Sequence, residues 1–387
     1  MRDLVAKKVQ QMQPSGIRAF FDLVLGMKDV ISLGVGEPDF VTPWQIREAG
    51  IYSLEQGYTS YTSNKGLYKL RLGIHNYLKS RHKVEYSPED EILITVGVSE
   101  AMDLAFRALL GPGDKILIPN PSYVSYVPLS ELAGGTVVSI DTKKHGFKLT
   151  PKELVKHIDK HTKALLLNYP SNPTGSTYTR KELSDINKIL LKHKVFCITD
   201  EVYGDLTYDF EHVPFATLPG AKENTLYLDG FSKSYAMTGW RIGYACGPKD
   251  IIAAMTKIHQ YTIMCVSITS QMAACEALHS GRKSVEEMKR EYRRRRELMV
   301  EGLNKLGLSC DKPQGAFYVF PSVKNSGMTG MEFAQGLLRE QKVAVVPGNA
   351  FGTGLEDYVR MSYATNFDSL KEALSRMEKF LKSSRRK

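Results

Sequence analysis

The chain has 387 residues, 42% hydrophobic and 24% charged, enough for two packed cores and typical of a globular protein. No apolar run reaches the roughly 20 residues of a membrane span, and Met1-Arg2-Asp3 opens no signal peptide. The net charge is +10, the five cysteines (Cys197, Cys246, Cys265, Cys275, Cys310) form no C-x-x-C pair, and the histidines form no H-E-x-x-H pattern. These features argue against a disulfide framework or zinc site and predict reduced thiols in a cytoplasm.

In chain order, Ile31-Ser32-Leu33-Gly34 is apolar but too short to form a core alone. Apolar runs predict buried strands over 91–96, 115–118, 164–167, 195–199, 225–228 and 242–246. Helical patterns over 99–110 and 179–193 separate several of them. This alternation predicts an α/β domain with a mostly parallel central sheet, covered on both faces, over 45–283. From Ser284 the pattern changes to a long charged helix, the run Gly315-Ala316-Phe317-Tyr318-Val319-Phe320 and a helix over 331–341. Strands over 343–346 and 358–363 and a closing helix from Phe367 follow. That reads as a smaller α+β domain, 284–387, joined by 1–44. Within its first helix, Arg293-Arg294-Arg295-Arg296 follows Glu286, Glu287 and Glu291, and Arg385-Arg386-Lys387 ends the chain. A salt-bridged, solvated helix face is predicted for the arginine run, in preference to a nucleic-acid patch.

Ligands of doubly wound sheets sit beyond the carboxyl ends of the strands. There the chain places Ser232-Lys233, with Arg241 eight positions on (241 − 233 = 8). The amine calls for a carbonyl partner, and the hydroxyl and guanidinium for a phosphate. Pyridoxal phosphate carries both groups. Its ring works as an electron sink only when the ring nitrogen stays protonated, which a buried carboxylate favours; Asp200, in Asp200-Glu201-Val202-Tyr203, is the candidate or else a helix cap. Asn172 and Tyr203 could hold the ring hydroxyl, although Asn172 also suits a plain turn. Ser99, in Gly97-Val98-Ser99-Glu100, could hold the phosphate at a helix start or be an ordinary N-cap. Tyr123 could stack on the ring or pack in a core.

The landmarks Ser171-Asn172-Pro173-Thr174-Gly175, Asp200-Glu201-Val202-Tyr203, Met237-Thr238-Gly239-Trp240-Arg241-Ile242-Gly243-Tyr244 and Val359-Arg360-Met361-Ser362-Tyr363-Ala364 occur in this order. With them the chain resembles the pyridoxal-phosphate-dependent aminotransferases of the aspartate/aromatic type over nearly its whole length. Lys28 to Phe40 and Val346-Pro347-Gly348 bring it nearest the aromatic aminotransferases of archaea and bacteria.

The resemblance implies the PLP-dependent transferase fold and a role for each position. Lys233 would form the Schiff base with the cofactor and shuttle the α-proton, Asp200 would pair with the ring nitrogen, and Asn172 and Tyr203 would hold the ring hydroxyl. Ser232, Arg241 and the Val98-Ser99 turn would hold the phosphate. Tyr61 would reach the phosphate of a neighbouring subunit, making a homodimer with shared sites. Arg360 would clamp the substrate carboxylate, helped by Gly34 and Asn172. The implied reaction is ping-pong transfer from an aromatic or broad range of L-amino acids to a 2-oxo acid such as 2-oxoglutarate. Aspartate, N-acetyl-diaminopimelate and a C–S lyase reaction are the alternatives on this scaffold. A cofactor-sensing regulator would need a DNA-reading module, for which too little chain precedes Lys28. Ile17, Arg18 and Phe20 are expected near the substrate side chain; Arg18 and Arg107 are the candidate cations for a distal carboxylate, each with a surface role preferred.

Overall fold

The structure is a computed structural model and describes residues 4–12 and 27–384. A two-residue strand β1 (Ile31–Ser32) comes first. Seven strands follow: β2 (Ile92–Thr95), β3 (Lys115–Asn120), β4 (Thr136–Asp141), β5 (Thr162–Asn168), β6 (Phe196–Asp200), β7 (Thr225–Gly230) and β8 (Gly243–Cys246). They form one sheet in the order β2-β8-β7-β6-β5-β3-β4, with β8 alone antiparallel to its neighbours. Strands buried on both faces need continuous apolar sequence, and Ile92–Thr95 and Gly243–Cys246 are buried throughout. β4 escaped the sequence reading because it is an edge strand whose residues are mostly exposed or half-buried, so it carries no apolar run.

The topology fixes where the chemistry lies. Parallel β5, β6 and β7 end together, with Asn168 paired to Asp200 and Asp200 to Leu228. β8 runs the opposite way, so its first residue, Gly243, pairs with both Gly230 and Thr95. Arg241, which precedes β8, therefore arrives at the same edge as Lys233, which follows β7.

The remaining strands are β9 (Tyr318–Val319), β10 (Val343–Ala344), β11 (Val346–Pro347) and β12 (Val359–Ser362). β11, β12 and β9 form an antiparallel sheet in that order, while β10 pairs in parallel with β1. The single strand expected over 343–346 is thus divided at Val345 between two sheets. Helices Arg282–Lys305, Gly330–Gln341 and Phe367–Ser384 share a core with these strands through Tyr292, Met299, Phe333, Met361 and Phe380. Helices Arg180–His193 and Gly330–Gln341 start at capping boxes, Thr179/Glu182 and Thr329/Glu332, which satisfy first-turn amides.

The arginine run departs from expectation. Arg293 and Arg294 are exposed and paired with Asp209 and Glu291, but Arg295 and Arg296 are buried. Arg295 grips Asp39 at 2.8 Å and Arg296 grips Asp209 at 2.7 Å. Half of the run is structural because the helix turns those two positions inward onto acidic partners. Arg385 to Lys387 lie outside the described residues. The five cysteines are free, and among the described residues no helix is long and apolar enough to cross a membrane.

Candidate active site

At the carboxyl edge of the seven-stranded sheet lies a cavity of about 750 Å³. Its walls include Val98, Ser99, Tyr123, Asn172, Asp200, Tyr203, Ser232, Lys233, Arg241 and Arg360. Ten of the twelve expected site residues therefore line one space. Gly34 adjoins it through Arg360. Tyr61 does not: it is 81% exposed on the surface.

Lys233 stands in the short helix Phe231–Ser234, half-buried, with Nζ donating to the Gly36 carbonyl at 2.7 Å. Burial, with the Arg360 and Arg241 cations, brings its pKa down from 10.5 to about 8, against the pull of Glu37 and Asp200. Burial pushes Asp200 from 3.8 up to about 6, and the Tyr126 hydroxyl and Val202 N–H hold it down. Those two donors reach Oδ2 at 2.7 Å and Oδ1 at 3.3 Å. Asp200 thus lines the cavity and is not a helix cap, a position that Tyr203 takes in the following turn.

The Ser99 alternatives also separate. Helix Gly97–Leu109 begins after Val96, which makes no side-chain cap. Ser99 lies within the first turn and faces the cavity, beside amide N–H groups that lack helical acceptors. Glu100 turns back to the Val96 N–H at 2.5 Å and is itself held by His259 at 2.7 Å. Gly97 has φ +71°, and a Cβ there would come within 2.7 Å of Arg241 Nη2, so glycine lets the guanidinium pack on the turn.

Arg360, on β12, is 2% exposed. Nη1 donates to Asn172 Oδ1 at 3.0 Å and Nη2 to the Gly34 carbonyl at 2.5 Å. Its Nε has no hydrogen-bond partner, and no carboxylate pairs with it among the described residues. Burial without a counter-ion lowers its pKa. A buried guanidinium in that state is ready to donate to a carboxylate from outside the chain.

Sequence reasoning missed four residues here. Tyr126 grips Asp200. Asn168 accepts from the Asn172 N–H at 2.9 Å and donates to the Asp200 carbonyl at 2.9 Å, joining two loops. Tyr318 meets Tyr203, hydroxyl to hydroxyl, at 2.8 Å, and the Gly36 carbonyl holds the Lys233 amine. The side-chain types of Tyr126, Asn168 and Tyr318 are ordinary in cores and at strand ends, so only their spatial placement marks them. Arg107 sits on the outer face of its helix, paired with Asp103 at 3.3 Å, and does not line the cavity. Ile17, Arg18 and Phe20 lie outside the described residues.

A pyridoxal phosphate group fits these residues. A buried carboxylate, a lysine of lowered pKa, a helix start beside an arginine and a flanking aromatic ring match its ring nitrogen, carbonyl, phosphate and ring face. The family model for aminotransferase class I and II matches residues 28–377. A Bacillus subtilis protein that bears the name "Putative aminotransferase YugH" is 53% identical over 98% of this chain and 99% of its own. An aspartate aminotransferase of Pyrococcus abyssi is 45% identical over 98% of both chains. The crystal structure of an aromatic aminotransferase from Pyrococcus horikoshii superposes with a TM-score of 0.90 at 43% identity, covering 95% of this chain and 99% of that one.

Proposed function

This chain belongs to the class I and II aminotransferases, and from that premise we propose that it moves an amino group from aromatic or a broad range of L-amino acids to a 2-oxo acid such as 2-oxoglutarate, in two alternating half-reactions. The observation that carries the reading is Arg360, buried without a carboxylate partner among the described residues, in the same cavity as Lys233 and Asp200.

Pyridoxal 5′-phosphate, the cofactor of this family, supplies a carbonyl that condenses with amines and a protonated ring that stabilises negative charge at the substrate Cα. Lys233 Nζ would hold that carbonyl and, once displaced by the substrate amine, take the proton from Cα. It must be neutral to do so, and its lowered pKa of about 8 serves that step. Asp200 would keep the proton on the ring nitrogen. Tyr203 and Asn172 would face the ring hydroxyl, and Tyr123 the ring. Ser99, Ser232, Arg241 and the Val98 N–H would bind the phosphate. Arg360 would orient the substrate through its α-carboxylate, with Gly34 and Asn172 holding the guanidinium.

The substrate range rests on what lines the cavity. Tyr123, Tyr126 and Tyr318 contribute aromatic surface, and its lysines and arginines among the described residues are Lys233, Arg241 and Arg360. Each cation already has a role, which leaves none for a distal carboxylate. We also assign 45–283 to a cofactor-binding domain and 1–44 with 284–387 to a second. The β1–β10 pairing and the Asp39–Arg295 ion pair support that division.

The pairing of two copies is part of the proposal. Tyr61 is exposed beside Tyr58, and Asn64 bonds to the Met264 carbonyl, bringing exposed Tyr261, Ile263 and Met264 alongside. Such an apolar surface suits a second copy, to whose site Tyr61 would contribute.

A panel of amino donors with 2-oxoglutarate tests the range. Phenylalanine, tyrosine and tryptophan should exceed aspartate in kcat/KM, and reciprocal plots at several oxo-acid concentrations should be parallel. A preference for aspartate would overturn the substrate range, and intersecting lines the alternating half-reactions.

A further inference from the structure

We propose that Tyr318 is a positioning residue that ties the carboxylate clamp to the residue facing the cofactor's ring hydroxyl: its ring carries Arg360 and its hydroxyl orients Tyr203. The proposal rests on the reading of the cavity as a cofactor and substrate site.

Tyr318 stands on β9, paired with Ser362 of the strand that carries Arg360. It is fully buried. The Arg360 guanidinium carbon lies 4.6 Å from the centroid of its ring. Among the described residues Arg360 has no carboxylate partner, so the negative faces of this ring and of Phe351, 4.9 Å away, are among the favourable surfaces offered to its charge. Tyr318 and Tyr203 meet nearly edge to face, with centroids 5.8 Å apart at 79°, and their hydroxyls are 2.8 Å apart. A Cβ at Gly36 would approach the Tyr318 hydroxyl to 2.8 Å, so glycine leaves the space this hydroxyl uses.

The direction of the hydroxyl bond follows from the proposed chemistry. Tyr203 has one proton. If that proton points to the cofactor's ring oxygen, Tyr203 can only accept from Tyr318. A phenol that accepts a hydrogen bond becomes a stronger donor. Tyr318 would therefore strengthen Tyr203's hold on the ring oxygen. A ring oxygen held more strongly by Tyr203 would bind a neighbouring proton less, so the bound cofactor's visible absorption should titrate at lower pH.

Tyr318→Phe removes the hydroxyl and keeps the ring, whereas Tyr318→Leu removes both. Each is compared with the parent holoenzyme by pH titration of the bound cofactor's visible absorption and by the Kd of 3-phenylpropionate, a carboxylate without an amine. Tyr318→Phe should raise the titration midpoint by about half a unit, as weakening of one bond in a chain implies, and leave the Kd within about twofold. Tyr318→Leu should also raise the Kd about 30-fold, the size of a desolvated cation–π contact. Tyr203→Phe combined with Tyr318→Phe should shift the midpoint no further than Tyr203→Phe alone, a non-additivity that a purely structural role would not produce. An unmoved midpoint in Tyr318→Phe overturns the proposal, with or without a folded Leu variant, as does an unchanged Kd in a folded Tyr318→Leu. A parent that fails to bind pyridoxal phosphate would instead overturn the reading of the site itself.

Discussion

The Tyr126 hydroxyl donates to Asp200 Oδ2 at 2.7 Å, joining the helix Tyr126–Leu132 to the end of β6. The bond opposes the burial that pushes the Asp200 carboxyl up to about 6, with the Val202 N–H assisting, Glu201 working against it and Lys233 helping. Tyr126 also meets Tyr123 edge to face at 5.5 Å, so one ring supports two walls of the cavity.

Tyr126→Phe should therefore send the Asp200 pKa above about 6 and leave less carboxylate to hold a ring-nitrogen proton. Hydrogen bonds to charged groups contribute about 1.5–3 kcal/mol, so kcat/KM should fall roughly tenfold or more. The acid limb of its pH profile should move to higher pH. Superimposable profiles for parent and variant would falsify this role for Tyr126.

Lys233→Ala should keep non-covalent affinity for pyridoxal phosphate, because Arg241, Ser232, Ser99 and Asp200 remain in the cavity. Turnover should drop on the order of 10⁴-fold, the upper range for loss of a positioned acid–base group. Mass spectrometry after borohydride reduction should show the cofactor attached to the parent at Lys233 and absent from the variant. Retention of most activity would sink the proposed step at Cα.

Asp229 carries a stability prediction. Its carboxylate accepts from the Tyr227 hydroxyl at 2.8 Å, the Tyr244 hydroxyl at 3.0 Å and the Gly230 N–H at 2.6 Å. Burial still pushes its pKa from 3.8 up to about 8, and Asp205 adds to the rise. The folded value exceeds the unfolded one, so between about pH 4 and 8 the folded protein binds the extra proton. Stability from this group is full below that window and is lost as pH rises through it. Asp229→Asn removes the titration. Its melting temperature, relative to the parent, should climb across the window by about 2 °C or more. A difference that stays flat from pH 5 to 9 would exclude Asp229 as the source.

Much of the main sheet was legible because parallel strands buried on both faces must be apolar, as residues 164–167 of β5 show. β4 was not, because an edge strand can be half polar. The common location of Lys233, Asp200, Asn172, Arg241 and Arg360 on one cavity could be anticipated because the first four follow or precede an apolar run and Arg360 lies within one. Tyr126, Asn168 and Tyr318 act through side chains that meet only after folding: Tyr126 and Asp200 are 74 residues apart, Tyr203 and Tyr318 115. The buried half of the arginine run depended on Asp39 and Asp209, whose approach no local pattern announces.

Tyr61 offers a test of shared sites that needs no structure of the pair. It lines no cavity of its own chain near Lys233 and is 81% exposed. If it serves the phosphate of a second copy, Tyr61→Glu places a like charge there and should abolish activity at limiting cofactor. Lys233→Ala should be inactive for a different reason. In a two-fold pair of one chain of each kind, one site combines both defects and the other has neither. Co-expression of the two variants in equal amounts gives hybrids in half of the pairs, so about one site in four should be intact and activity should return to about that fraction of the parent. Mixed samples as inactive as either variant alone would place Tyr61 and Lys233 in the same site of one chain, and full activity of Tyr61→Glu by itself would leave Tyr61 with no part in it.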